Sequence, residues 1–410
     1  MKRDRDYTNS IVPKDDRRST ITMSMIMIGF TFCSSSMWVG QKLADGSSLV
    51  EFISSLILGG LILAGYAGVL GYVGAETGMG LDLLAKKALG EKGSYLVSFV
   101  ISITQIGWFG VGIAMFALPV SDVIFGNNDI ARWGLTIVAG IFMTSSAYFG
   151  IKALTIVSYI AVPTIAILGS VATYMAVSKG ELSLIEQFSQ NDGSLSILSG
   201  IALVVGSFIS GGTTTPNFTR YSTNGKSALY ITILAFLFGN ALMFIFGGVA
   251  SAYIGGNDIF QVMVKLNMFY LAILVLGLNI WTTNDNSLYS AGLGLANILK
   301  KKKKPLILIS GILGTLISKW LYSNFCDWLI MLNSLLPPCG VVLILAYFLN
   351  KKDFINISEK GVNWIAVIGI IVGTLSSMFF KQGLPAINSM IVTSVIYLFC
   401  MHFKVSRNPR

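Results

Sequence analysis

Gln105 and Trp108 stand three residues apart, a spacing that shares one helix face and sets a donating and accepting amide beside a broad aromatic surface. Such a pair suits a flat polar heterocycle. Phe208 lies in the run Gly206-Ser207-Phe208-Ile209-Ser210-Gly211-Gly212, where it either offers a second aromatic face or packs into a core. Asn279, Thr282, Thr283 and Asn286 follow i, i+3, i+4, i+7 spacing and draw one polar stripe along an otherwise apolar helix. Threonines in such a stripe either bond back to their own helix or join freed backbone carbonyls in an all-oxygen site of the kind hard cations take. Asp285 is the one acid well inside an apolar run, and an intramembrane carboxylate is a functional candidate by default. It lies about 110° from the centre of the stripe at 3.6 residues per turn, so a structural or gating pair stands beside a ligand role.

These residues need apolar elements to hold them. Of 410 residues, 54% are hydrophobic and only 12% charged, against about 25% charged in soluble domains, and the mean hydropathy is +0.72. The chain reads as an all-α polytopic membrane protein, and its 43 glycines fit helices that pack closely. The net charge of +10 sits in short segments between apolar runs, so it orients the chain in the bilayer and does not indicate nucleic acid. Cys33, Cys326, Cys339 and Cys400 are far apart and His402 is the single histidine, which leaves no metal-ligand spacing. Paired carboxylates and a nucleophile triad are absent as well, so nothing supports an enzyme, and no cofactor or obligate protein partner is implied.

A helix needs about 20 apolar residues to cross the hydrocarbon. Twelve runs qualify, near 20–41, 50–75, 93–120, 131–150, 153–178, 197–216, 227–255, 264–298, 305–323, 326–349, 362–380 and 384–403. With the N-terminus assigned to the cytoplasm, 23 of the 29 basic residues fall on inner segments and 6 on outer ones, which places both termini inside. Lys300 to Lys304 are then a topology anchor, with anionic-lipid binding a lesser alternative. Residues 1–19 read as a retained cytoplasmic tail and 404–410 as a second one. Short amphipathic stretches at 80–90 and 255–266 are expected along the membrane faces.

Two apolar runs are interrupted at matched places. Span one breaks at Thr31-Phe32-Cys33-Ser34-Ser35-Ser36 and span six from Gly206 to Pro216, 175 residues later; Trp108 and Trp281 repeat the offset at 173. Five spans separate the members of each pair. The halves, 20–178 and 197–349, are therefore repeats of odd helix number that point oppositely, with 362–403 appended as spans eleven and twelve. Unwound backbone at membrane depth is tolerated where it lines a cavity or is buried in protein, so helices one and six, both expected to be broken, mark a site.

The segments Thr104 to Gly112, Leu203 to Ser210 and Leu276 to Asn286 closely resemble the bacterial cytosine permeases of the nucleobase:cation symporter-1 family, and the likeness runs from about Ser24 to the last span. The resemblance implies the LeuT-type five-plus-five fold, cytosine uptake across the inner membrane and cation coupling. It implies Trp108 and Phe208 as an aromatic sandwich, with Gln105, Ser207, Ser210 and Asn279 as its hydrogen-bonding rim. The carbonyls of Gly29, Phe32 and Asn279 with the hydroxyls of Thr282 and Thr283 are similar to the family's sodium site. Asn217-Phe218 departs from the Asp-Phe pair common in the family. The scarcity of buried carboxylates favours a metal cation as the driver. A proton-driven permease for another nucleobase or hydantoin remains the alternative, and a channel is the rival of a different class.

Overall fold

The computed structural model describes the chain except residues 1–6, 8–9, 150, 190–192, 257–258, 358–359, 381 and 408–410. Lys2, Arg3, Arg5, Lys381 and Arg410, counted above for orientation, lie outside the described residues. Span one is a bent pair, α1 (Thr20–Thr31) and α2 (Ser34–Gly46), kinked by 49°. Span two is α3 (Leu49–Thr77), followed by the short α4 (Leu81–Leu89); spans three to five are α5 (Ser94–Phe125), α6 (Asp129–Phe149) and α7 (Ile151–Lys179). After α8 (Leu184–Ser189), span six is α9 (Ile197–Thr214) with the single turn α10 (Pro216–Thr219), and span seven is α11 (Gly225–Leu234), a π-turn at Ala235–Asn240 and α12 (Ala241–Ile254). Then come α13 (Ile259–Lys265) and spans eight to twelve: α14 (Phe269–Leu299), α15 (Lys303–Ser323), α16 (Phe325–Leu349), α17 (Trp364–Phe379) and α18 (Pro385–Arg407).

Eight of these segments and the bent pair are long and apolar enough to cross a membrane; the remaining places, fifth, eighth and eleventh, are held by α7, α14 and α17. Helices α4 and α13 form over the two stretches expected along the membrane faces. Helix starts follow side-chain chemistry. Ser48 and Glu51 form a reciprocal capping box at α3, and Ser196 and Asn224 cap α9 and α11 by accepting N–H bonds at the third position.

The packing obeys an exchange of span n for span n+5. α2 packs on α12 as α9 packs on α3, α5 on α15 as α14 on α6, and α7 on α12 as α16 on α3, while α5 and α14, at equivalent places, cross each other. That pattern is the five-plus-five inverted repeat, with α17 and α18 packed on α16. Where α2 meets α12 the backbones nearly touch, because a Cβ on Gly40 would strike the Phe244 carbonyl and one on Gly247 the Met37 carbonyl. Small residues admit this approach, which is how helices gain contact in lipid.

Span six corrects the expectation of a break from Gly206 to Pro216. α9 is continuous helix through Thr214, and the irregularity is confined to Thr215 before Pro216. The polar side chains do not unwind it because their hydroxyls return to its own carbonyls: Ser207 donates to Val204 O at 2.7 Å, Thr213 to Ile209 O at 2.8 Å and Thr214 to Gly211 O at 3.1 Å. Gly206 serves close packing instead, since its Cβ would lie 2.6 Å from the Leu329 carbonyl of α16.

Candidate functional site

At the break in span one the Cys33 N–H donates to Thr31 O at 3.0 Å, so the Gly29 carbonyl loses the donor that a continuous helix would supply. The Ser34 N–H, which would have served Phe30, donates instead to Asn279 Oδ1 at 2.9 Å, and Asn279 Nδ2 donates to Phe32 O at 2.7 Å. One carboxamide on α14 therefore takes both a donor and an acceptor from the broken backbone. The same residue's carbonyl receives the hydroxyls of Thr282 at 2.8 Å and Thr283 at 3.0 Å. This is the back-bonded alternative for those threonines. It also gathers their oxygens around Asn279 O, while the side chain of the same asparagine holds Phe32 O.

The π-turn of span seven supports the break from the other side. Its extra residue per turn brings Asn240 to accept from Ser36 Oγ at 2.6 Å, and Gly239 leaves the space that Thr31 Oγ1 fills. Gln105 on α5 donates from Nε2 to Ser210 Oγ at 2.8 Å, joining span three to span six, and Thr104 adds a longer 3.5 Å contact to the same hydroxyl. Gln105, Ser207, Phe208, Ser210 and Asn279 are all buried, and Trp108 is half-buried.

The two aromatic rings are not in contact with each other. Phe208 packs edge-on against Phe30 at 5.1 Å and Phe236 at 5.3 Å, while Trp108 meets Phe325 of α16 at 6.1 Å. Beside Trp108 lies a cavity of about 20 Å³, lined by Cys33, Ser34, Ser35, Thr283 and Asn284 among others. That is room for a water but not for a six-membered ring.

Three features escaped the sequence reading. Trp328 of α16 lies against Gly107, between Gln105 and Trp108, and only glycine there leaves the indole its place. Ser34 belonged to a flagged run but carried no individual signal. Asn284, next to the expected stripe, donates to Phe109 O at 3.2 Å and ties span eight to span three. Asp285 Oδ1 accepts from Ser146 Oγ at 2.6 Å, and the Ser146 oxygen in turn accepts from Trp281 Nε1 at 2.6 Å. Asn217 Oδ1 accepts from the Leu81 N–H at 2.8 Å and so completes the start of α4. At the lysine loop, Lys300 pairs with Glu91 at 3.0 Å, and this hydrogen bond holds the Glu91 carboxyl below its usual range.

A bent first span, a second half that repeats the first inverted, and polar groups converging where spans one, three, six and eight meet define a membrane transporter, not an enzyme. Residues 11–405 match the family described as permeases for cytosine/purines, uracil, thiamine and allantoin, and the chain belongs to that family. The cytosine permease of Escherichia coli K12 is 41% identical over 402 residues, covering 97% of this chain and 94% of that protein. The inward-facing structure of Mhp1 superposes with a TM-score of 0.83 at 16% identity, covering 98% and 94% of the two chains. A closed structure of Mhp1, described as a nucleobase-cation-symport-1 family transporter with bromovinylhydantoin bound, gives 0.81 at 17%, covering 98% and 96%. These two likenesses speak for the fold.

Proposed function

We propose that this chain imports cytosine by sodium-coupled symport through alternating access. It would lie in the bacterial inner membrane with both termini and the Lys300 to Lys304 loop on the cytoplasmic side. The observation that carries the reading is Asn279, whose side chain holds the break in span one while its carbonyl collects Thr282 and Thr283. In this reading the same residue serves both the oxygen cluster and, with Gln105, Ser207 and Ser210, the rim that reads the base. The 41% identity to a cytosine permease supports cytosine as the base.

In this reading Trp108 and Phe208 supply stacking surface, and Gln105, Ser207, Ser210 and Asn279 read the edge of the base. Sodium, when bound, supplies a charge that holds the carbonyls of Gly29, Phe32 and Asn279 and the two threonine hydroxyls together. Rocking of spans one, two, six and seven against the rest then exchanges the open side, and Gln105 must release Ser210 to admit the base between spans three and six.

The test is uptake of radiolabelled cytosine into proteoliposomes under an inward sodium gradient, under choline, and under a proton gradient alone. Concentrative uptake is expected with sodium only. Coupling of about 1 to 3 kcal/mol raises cytosine affinity about 5- to 150-fold with sodium, and by linkage cytosine raises sodium affinity equally. Thr282→Ala and Thr283→Ala should each erase most of that gain while leaving sodium-free binding nearly unchanged. Equal uptake in sodium and choline would overturn sodium coupling, and uptake under the proton gradient alone would establish the proton-driven alternative.

A further inference from the structure

A residue lining the small cavity beside Trp108 carries a polar atom that nothing among the described residues satisfies. Ser34 is 1% exposed, and its hydroxyl has no hydrogen-bond partner among the described residues although the residue lines this cavity. Such an orphan costs free energy in a membrane interior unless something meets it. The neighbouring groups are already engaged. Thr283's proton goes to Asn279 O, and Asn284's amide goes to Phe109 O and Met143 Sδ. Ser34 is left with a proton to give.

Its place on the backbone selects what it gives that proton to. Ser34 is the first residue of α2, a helix of 13 residues whose preceding residue, Cys33, provides no side-chain cap. The positive end of the helix dipole therefore opens at the same point as the unspent hydroxyl, and both favour an oxygen carrying partial negative charge over an amine. A base stacked on Trp108 presents its edge to this cavity, because Trp108 and Ser34 line it together.

The geometry points to Ser34 as a specificity-determining residue that donates a hydrogen bond to the exocyclic carbonyl oxygen of a 2-oxopyrimidine. The assignment rests on the transport reading above and narrows it: the base must present a ring carbonyl to the start of α2, with its amino group directed elsewhere. Ser34 holds the fold through its N–H, which pairs with Asn279, and not through its hydroxyl. Removing the hydroxyl alone should leave the break in span one intact.

The experiment is equilibrium binding of cytosine and of 2-thiocytosine to the purified full chain in sodium. The thio compound keeps the ring, its N–H and the amine but replaces the oxygen by a weakly accepting sulfur. Ser34→Ala should weaken cytosine binding about tenfold and 2-thiocytosine binding hardly at all, so that the preference for the oxygen compound collapses. Ser34→Thr, which keeps the hydroxyl, should retain the preference. Equal weakening of both ligands, or an unchanged cytosine affinity, would overturn the assignment. No cytosine binding by the unmutated protein would overturn the transport reading itself.

Discussion

In span one the chain gives up helical bonding between Thr31 and Ser34, whereas in span six it keeps it from Ile197 to Thr214, although both stretches are rich in serine, threonine and glycine. The difference lies in where the polar groups find partners. In span six the hydroxyls of Ser207, Thr213 and Thr214 each reach a carbonyl three or four residues back, which costs the helix nothing it needs, and Ser210 is met by Gln105. In span one a side chain from another helix, Asn279, takes the N–H of Ser34 and the carbonyl of Phe32. A break at membrane depth persists because a distant residue satisfies one donor and one acceptor that it frees.

The comparison breaks most directly at Asn279. Replacing it with alanine leaves a buried donor and a buried acceptor unpaired, each at about 1 to 3 kcal/mol, so a loss near 2 to 6 kcal/mol is expected. Thermal unfolding in detergent should show a midpoint lower by many degrees, and cytosine binding should disappear. Unchanged stability would mean that span one is broken by its own sequence and not held open by span eight.

A smaller effect is expected at Gly206. An added Cβ would stand 2.6 Å from the Leu329 carbonyl and 2.9 Å from Asn333 Nδ2, so α9 and α16 must part. Overpacking of this kind costs about 1 to 3 kcal/mol. For Gly206→Ala the expected pattern is a lowered unfolding midpoint with normal cytosine affinity in the folded fraction. If span six flexed at Gly206 after all, the midpoint would hold and uptake would fail.

This contrast also explains what was legible in the sequence. Span positions follow from apolar length, and the stripe on α14 from its periodicity. The pairing of spans follows from the matched offsets, because an inverted repeat leaves its trace in residue types. Whether a Ser-Gly run unwinds depends on a partner about 245 residues away, which spacing along one segment does not contain. The same holds for Asp285, whose partner Ser146, itself an acceptor from Trp281, comes near only when spans four and eight pack. Trp328 left no signal at all, since an aromatic in an apolar span looks like any other until Gly107 opposite it is known.

The finest distinction within span six is between Ser207 and Ser210, which are one turn apart. Ser210 accepts from Gln105 across to span three, so removing its hydroxyl orphans a buried amide. Ser207 donates only to Val204 O in its own helix, so that bond holds nothing together and its loss should move stability by less than about 0.5 kcal/mol. Its oxygen, however, keeps lone pairs that no group among the described residues uses, and an amino group on a bound base is the kind of donor they would meet. Ser207→Ala should therefore leave the unfolding midpoint in place while cytosine affinity falls by a few-fold, the equivalent of one neutral hydrogen bond at about 0.5 to 1.5 kcal/mol. The two readouts separate the roles. A fall in both would make Ser207 a structural residue, and no change in either would remove it from the rim, leaving Ser210 and Gln105 as the part of spans three and six that reads the base.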